Sequence, residues 1–125
     1  MAVNWLDAPE DHDYDAAADY LSLVADAGTV AKTVGVLKSA KPVYRKAKDI
    51  LRAAQLVLLS ETDVRVKTDL AKISNGKALS PILLARGDFR TANPLQIADG
   101  YHRVCASYLT DENTLIPCRL VSWKS

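Results

Sequence analysis

Residues 95–106 bring together a carboxylate, a glycine, a histidine and an arginine, residue types that can bind phosphate. The pattern predicts a short apolar strand, a corner at Asp99 and Gly100, and then the first turns of a helix. Gly100 can adopt the backbone geometry of a tight corner, and Asp99 is predicted to cap the helix. His102 and Arg103 would lie in the first turn, where unpaired N–H groups and the helix dipole favour an anion. The spacing therefore predicts a small phosphate-binding corner.

The same residues also have a purely structural interpretation. Asp99 would serve only as a cap and Gly100 only as a turn, while His102 and Arg103 would be solvated side chains. Short motifs often match by chance, so both interpretations stay open on these residues alone.

Composition limits the classes of protein that fit. The chain has 125 residues, of which 49% are hydrophobic and 25% charged, as expected for one globular domain with its own core. A formal net charge of +1 gives no support for nucleic-acid binding from overall charge. Cys105 and Cys118 show neither a redox-pair nor a zinc-site spacing, so we expect them to be reduced and buried, without a metal. No signal-peptide pattern or membrane-length apolar run is present, so we expect a cytoplasmic protein without membrane contact.

Basic residues are concentrated between residues 32 and 52, where seven lysines and arginines accompany a single acidic residue. Residues 1–26 hold seven acidic residues and no lysine or arginine. Such a basic region could contact the phosphates of a nucleotide or a nucleic acid, or it could be a solvated face or a partner for the acidic segment. A helix starting near Pro42 would align four of these basic residues, at steps of four, three and four, on one face: Lys41, Arg45, Lys48 and Arg52.

Hydrophobic periodicity predicts a helical N-terminal half and a mixed second half, with the fold class α+β. We expect N-terminal helices (residues 1–55) packed on a small mixed sheet (residues 56–125) in a single domain. Pro117 should place the last strand at a sheet edge or mark its start. The predicted helices cover 15–25, a segment capped by Thr29, a segment from Pro42 to about 54, a segment between caps at 60–63 and an end at 75–76, and a segment from the corner to about 109. The predicted strands cover 81–86, 95–98 (an antiparallel pair with the first) and 115–121.

The second half also has an order of motifs that is typical of a known family. A helix ending in Ile-Ser-Asn-Gly (73–76) is followed by the apolar segment 79–84, the Asp-Gly-Tyr-His-Arg corner and the segment 116–121. This order resembles the ParB/sulfiredoxin-like superfamily, whose core runs helix, strand, hairpin, glycine corner, helix, strand. The resemblance covers residues 61–121, about half of the chain, and leaves the N-terminal helices unassigned.

In that superfamily the corner binds nucleotide phosphates: CTP in ParB, ATP in sulfiredoxin and ADP in a related free-serine kinase. Gly100, His102 and Arg103 match the sulfiredoxin-type Gly-x-His-Arg, and Asp99 matches the Asp-Gly-x-x-Arg form of ParB-like proteins. The resemblance implies a nucleoside di- or triphosphate with Mg²⁺, held by Gly100, Tyr101, His102 and Arg103.

Several positions depart from the family pattern. Sulfiredoxin's catalytic cysteine falls where this chain has Tyr101, and Cys105, a turn deeper on the apolar face, is a poor substitute. Partition-type ParB has Glu-Arg in place of Tyr101 and His102, and we do not expect its helix-turn-helix DNA-binding domain in this chain. A kinase reaction would need a carboxylate base, and Glu61 is the nearest by position unless it is only a cap. The candidate catalytic residues are Glu61, Asp99 and His102, with Asp63 as a further candidate base.

The sequence therefore predicts a nucleotide- or phosphate-binding domain, in which phosphotransfer or nucleotide hydrolysis stays open. A ParB-like nucleic-acid-binding protein or nuclease is the first alternative. The basic stripe favours it, whereas the near-zero net charge, an aromatic content of 6% and the lack of a DNA-reading element disfavour it. The second alternative is a non-catalytic protein-interaction module that keeps the fold without the ligand.

Overall fold

The computed structural model describes residues 2–122, which form five α-helices and a four-stranded mixed sheet, so the predicted α+β class is confirmed. No helix in this range is long and apolar enough to cross a membrane. The helices are α1 (Asp11–Leu21), α2 (Ala27–Ser39), α3 (Ala47–Ala54), α4 (Val64–Ser74) and α5 (Tyr101–Thr110). The strands are β1 (Val43–Lys46), β2 (Ile82–Ala85), β3 (Gln96–Asp99) and β4 (Leu115–Val121), and a short 3-10 turn covers Phe89–Thr91.

The strands lie in the order β1–β4–β2–β3. β2 and β3 are antiparallel, as predicted, while β4 runs parallel to β2 and antiparallel to β1. β1 pairs with the first half of β4 and β2 with the second half, and Cys118 is where the two ladders meet. Pro117 lies in the half that β1 alone covers, where a proline is tolerated because one side has no neighbour. The prediction of an edge from Pro117 therefore holds only for the first half of β4, which has a neighbour on one side. β4 as a whole lies between β1 and β2 in the sheet.

The two faces of the sheet carry separate hydrophobic clusters because side chains alternate along each strand. On one face, Leu83 and Val121 pack against α1 and α2. On the other face, Ile82 and Cys118 pack against α3, α4 and α5. The sheet is thus the middle of three layers, which explains why every residue of β2 is buried.

Residues 43–46 form a strand where the sequence predicts the first turn of a helix. β1 pairs with β4 from Val43 opposite Cys118 to Lys46 opposite Leu115, and α3 begins only at Ala47. Apolar residues after Pro42 fit a helical period, but pairing with β4 provides the backbone hydrogen bonds for this segment. The predicted helix is therefore confirmed from Ala47 to Ala54, whereas its predicted start at Pro42 is wrong, and a strand lies within the part expected to be helical.

The two N-terminal helices begin earlier than predicted. α1 starts at Asp11, where the carboxylate of Asp13 accepts from the backbone N–H of Glu10 at 2.9 Å and completes the first turn. α2 is capped by Asp26 rather than by Thr29, because Oδ1 of Asp26 accepts from the N–H of Thr29 at 2.8 Å. Asp11 and Asp13 therefore belong to the first turn of a helix that was predicted to begin only at residue 15.

β3 passes into α5 through Gly100, and this corner requires a glycine. Its φ of +113° is rarely adopted by residues with a side chain. A Cβ at this position would lie only 2.4 Å from Cδ1 of Ile82, a fully buried residue of β2. The absent side chain thus allows the start of α5 to pack directly against the sheet.

Replacing Gly100 with alanine tests this close packing. Gly100→Ala should lower the free energy of unfolding by about 2–4 kcal/mol, because backbone strain and overpacking each cost about 1–3 kcal/mol. Gly35→Ala in α2 is the matched control, since a Cβ there meets nothing within 4 Å. That control should stabilise the protein by about 0.5–1 kcal/mol. Urea unfolding followed by circular dichroism measures both, and equal stabilities of the two variants would contradict the close approach to Ile82.

Candidate functional site

The predicted phosphate corner lies at the start of α5, where Gly100 itself occupies the N-cap position. No side chain caps this helix. Asp99 was expected to do so, and that prediction is wrong: its carboxylate instead accepts from Nη2 of Arg103 at 2.9 Å. The two side chains meet because residues four apart lie on the same face of a helix.

Arg103 is held between two carboxylates. Besides Asp99, Asp13 of α1 places Oδ1 3.9 Å from Nη1 of Arg103, and the carbonyl of Pro81 accepts from Nη2 at 3.4 Å. The side chain of Asp13 is only 3% exposed and that of Arg103 only 18%. Asp13, Asp99 and Arg103 form what we call the ion cluster. A buried cation of this kind is stable only with its counter-charges in place.

Within the ion cluster, two carboxylates face a single guanidinium group. Burial raises the pKa of Asp99 above its usual value, Arg103 offsets part of this rise, and the nearby carboxylate of Asp13 adds to it. Burial likewise raises the pKa of Asp69 on α4, where Arg103 and His102 act in the opposite direction. The charge of Arg103 is thus already compensated, so the corner offers little net attraction for a phosphate.

The remaining residues predicted for the corner have structural contacts of their own. Nε2 of His102 lies 3.9 Å from Oδ1 of Asp63, whose carboxylate caps α4. The hydroxyl of Tyr101 donates to the carbonyl of Val57 at 2.6 Å. Glu61 is exposed. The structure therefore brings Asp63 to His102, whereas the exposed Glu61 forms no ion pair with another residue in the range 2–122.

The two cysteines are buried and free, as predicted. Burial raises the pKa of Cys105, and it raises that of Cys118 to about 12. Both thiols are therefore protonated near neutral pH and are poor nucleophiles.

A groove of about 610 Å³ opens between α3 and the loop that joins β2 to β3, within the usual range of about 300–1,000 Å³ for small-molecule sites. We call it the arginine groove. Its lining includes an apolar set, Ile50, Leu84, Leu95 and Leu120, and a polar and aromatic set, Arg45, Arg52, Arg86, Asp49, Asp88 and Phe89.

Two of the four residues of the predicted basic stripe line the arginine groove. Arg45 and Arg52 line it, but from a strand and a helix rather than from one helical face. Lys41 precedes β1, and Lys48 lies 4.0 Å from the carboxylate of Glu112. The stripe on a single helix is therefore wrong, although two of its members do converge on one site.

The arginines of the groove differ in their partners. Arg52 pairs with Asp49 at 3.0 Å. Arg86 donates through Nε to the hydroxyl of Ser122, and Arg45 donates to the carbonyl of Tyr44, so neither bonds a negative charge there. Among residues 2–122, neither Arg45 nor Arg86 has a carboxylate within 4.0 Å. Two uncompensated guanidinium groups beside an apolar surface favour an anion.

Sequence reasoning missed Asp13, Arg86 and Phe89. The position of Asp13 could have been found, because it lies four residues before Ala17 and eight before Leu21, which face the core. Arg86 and Phe89 follow β2 in a polar segment without periodicity. Only the tertiary structure brings that segment against α3.

Comparison of the chain with protein-family models, with curated proteins and with solved structures finds no match. In the described part of the chain, no group of three or more His, Cys, Asp or Glu side chains is arranged to hold a metal ion. The chemistry of the protein is therefore inferred from the ion cluster and the arginine groove themselves.

Removing the cation of the ion cluster should destabilise the fold. Arg103→Ala leaves Asp13 and Asp99 without a counter-charge and should cost about 3–5 kcal/mol in the free energy of unfolding. Arg65→Ala, on the exposed side of α4, should change stability by less than about 0.5 kcal/mol. Urea unfolding compares the two, and a similar small effect of both would show that Arg103 is not held as a buried counter-ion.

The raised pKa of Asp69 gives stability a pH dependence of definite sign. The folded protein binds the proton of the Asp69 carboxyl group more tightly than the unfolded chain does. The stability that this proton contributes is therefore lost as pH rises through the pKa of Asp69 in the folded protein. Asp69→Asn should therefore be more stable than wild type at pH 7, with a gap that shrinks towards about pH 4.

Asp88→Asn is the contrasting variant. Hydrogen bonds from Arg90 lower the pKa of Asp88, so this variant should be less stable than wild type at pH 7, and its deficit should vanish as pH falls through the folded pKa. Unfolding curves from pH 7 down to about pH 2 measure both variants, and the same sign for the two would contradict the assignment.

Proposed function

We propose that this protein binds a small phosphate-bearing ligand, a nucleotide or another phosphate compound, in the arginine groove. The proposal is supported by one observation above all: Arg45 and Arg86 bring to a groove of about 610 Å³ two guanidinium groups that have no carboxylate partner among residues 2–122. Planar guanidinium groups bind phosphate oxygens through paired N–H donors. The apolar residues of the groove would cover the rest of the ligand.

The groove is a better candidate than the corner for electrostatic reasons. A phosphate at the corner would compete with Asp99 for Arg103 and would approach the carboxylates of Asp13 and Asp69. A phosphate in the groove would meet Arg45 and Arg86 without displacing a carboxylate from either of them. The two carboxylates that also line the groove, Asp49 and Asp88, are paired with Arg52 and Arg90. Repulsion between a phosphate and a carboxylate about 4 Å away costs several kcal/mol when both are partly buried.

Membership of the ParB/sulfiredoxin-like superfamily is a second part of the proposal. It is supported by the order α4, β2, β3, α5, β4, with an antiparallel β2–β3 pair and a glycine corner before α5. In that superfamily the phosphates lie at the corner, which here would place them on Arg103, whereas the proposed groove places the phosphate on Arg45 and Arg86. A cytoplasmic location is supported by the two unpaired thiols.

The proposal concerns binding rather than a reaction. Glu61 is exposed, and Asp99 is engaged by Arg103, so neither is positioned as a base beside the groove. The alternatives of a nucleic-acid-binding protein and of an interaction module are outcomes of the test below.

Calorimetric titration with pyrophosphate, ATP, ADP, CTP and GTP, each with and without Mg²⁺, tests the proposal. Wild type should bind at least one of these, and the Arg45→Gln/Arg86→Gln double variant should lose at least about tenfold in affinity per arginine, since hydrogen bonds to charged groups contribute about 1.5–3 kcal/mol. Arg90→Gln is the control: Arg90 lies on the same loop, bonds Asp88 and does not line the groove.

Three outcomes would overturn the proposal. Equal affinity in wild type and the double variant would move the phosphate away from the groove and favour the corner. Steeply salt-dependent binding of a long oligonucleotide, without binding of any mononucleotide, would favour the nucleic-acid alternative. No binding of any phosphate compound would leave the interaction module.

A further inference from the structure

The most exposed large apolar side chain of the described residues borders the arginine groove. Phe89 lines the groove, yet its residue surface is 93% exposed. A phenylalanine that contributes almost nothing to the core is retained at an energetic cost in water, because its burial would be favourable. Its ring is therefore free to cover a ligand in the groove.

The loop that carries Phe89 is held in a defined shape. The N–H of Asp88 donates to the carbonyl of Asn93 at 2.8 Å, and the N–H of Asn93 donates back at 3.0 Å. The carboxylate of Asp88 accepts two hydrogen bonds from the guanidinium of Arg90, at 3.1 Å each. At Gly87 a Cβ would lie 2.3 Å from the carbonyl oxygen of Asn93, so the loop closes tightly on itself.

A fixed loop makes the exposed ring useful for binding. Little conformational freedom is lost when a ligand packs on a side chain whose backbone is already ordered. Phe89 also lies three residues after Arg86, so an aromatic surface and an uncompensated cation are carried by the same short segment.

We infer that the ligand of the arginine groove is a phosphate monoester that carries a flat aromatic ring, with the ring stacked on Phe89 and the phosphate on Arg45 and Arg86. This inference rests on the proposed function, which requires only the phosphate. The inference adds the aromatic ring as a second recognised group of the ligand. A sugar phosphate or an inorganic phosphate would leave the ring of Phe89 uncovered, whereas an aromatic group would stack on it.

Ligands that carry the phosphate and the ring separately test the two halves. Calorimetry compares adenosine monophosphate, cytidine monophosphate and phenyl phosphate, which have both groups, with ribose 5-phosphate, which lacks the ring. Wild type should bind the ring-bearing compounds about tenfold more tightly, since stacking of a base on an aromatic side chain contributes about 1–3 kcal/mol. A nucleobase preference over phenyl phosphate would identify a nucleotide, and equal affinity would identify a general aryl phosphate.

Phe89→Ala should remove this tenfold advantage and leave the affinity for ribose 5-phosphate unchanged, while Phe89→Tyr should keep the advantage. Leu23→Ala is the matched control, because Leu23 is also highly exposed, at 83%, but does not line the groove. Since Phe89 is outside the core, its replacement should not impair folding.

The two failures are distinguishable. Binding of ribose 5-phosphate that depends on Arg45 and Arg86, together with no advantage for any ring-bearing compound, would overturn the aromatic inference and keep the proposed function. Binding that is insensitive to the two arginines would overturn both.

Discussion

The charge of Arg103 is the constraint on which the arrangement of the layers depends. A guanidinium group with little access to water must find its counter-charges within the protein. Here they come from Asp13 on α1 and Asp99 at the end of β3, with a further acceptor in the carbonyl of Pro81 just before β2. One side chain therefore links the N-terminal helix, the edge of the sheet and the first turn of α5. The corner has its present shape because these groups must meet.

The same residue type has opposite consequences at the two sites. Arg103 lies between two carboxylates and stabilises the fold, so its charge is neutralised within the protein. Arg45 and Arg86 lie beside apolar residues and have no acidic partner in the described part of the chain, so their charge is available to a ligand. The environment of each arginine, rather than its place in a motif, decides which role it has.

Local patterns predict those parts of the structure whose contacts repeat along the chain. α4, the β2–β3 pair, α5 and β4 follow from apolar periodicity and from caps such as Asp63. β1 was mistaken for a helix because Val43 and Ala47 fit both patterns, and pairing with a strand more than sixty residues away decided between them. The corner was located correctly, but the contact of Asp13 with Arg103 and the loop behind the arginine groove depend on tertiary packing that no short window contains.

The divided pairing of β4 has a mechanical consequence. Arg45 belongs to the ladder between β1 and β4, opposite Ile116, whereas Arg86 is attached to the other ladder, where its N–H donates to the carbonyl of Val121 at 2.8 Å. The two ladders meet only around Cys118. β4 thus sets the distance between the two guanidinium groups, because each is attached to a different half of this strand. A change in the twist of β4 at Cys118 would alter that distance without any change at Arg45 or Arg86.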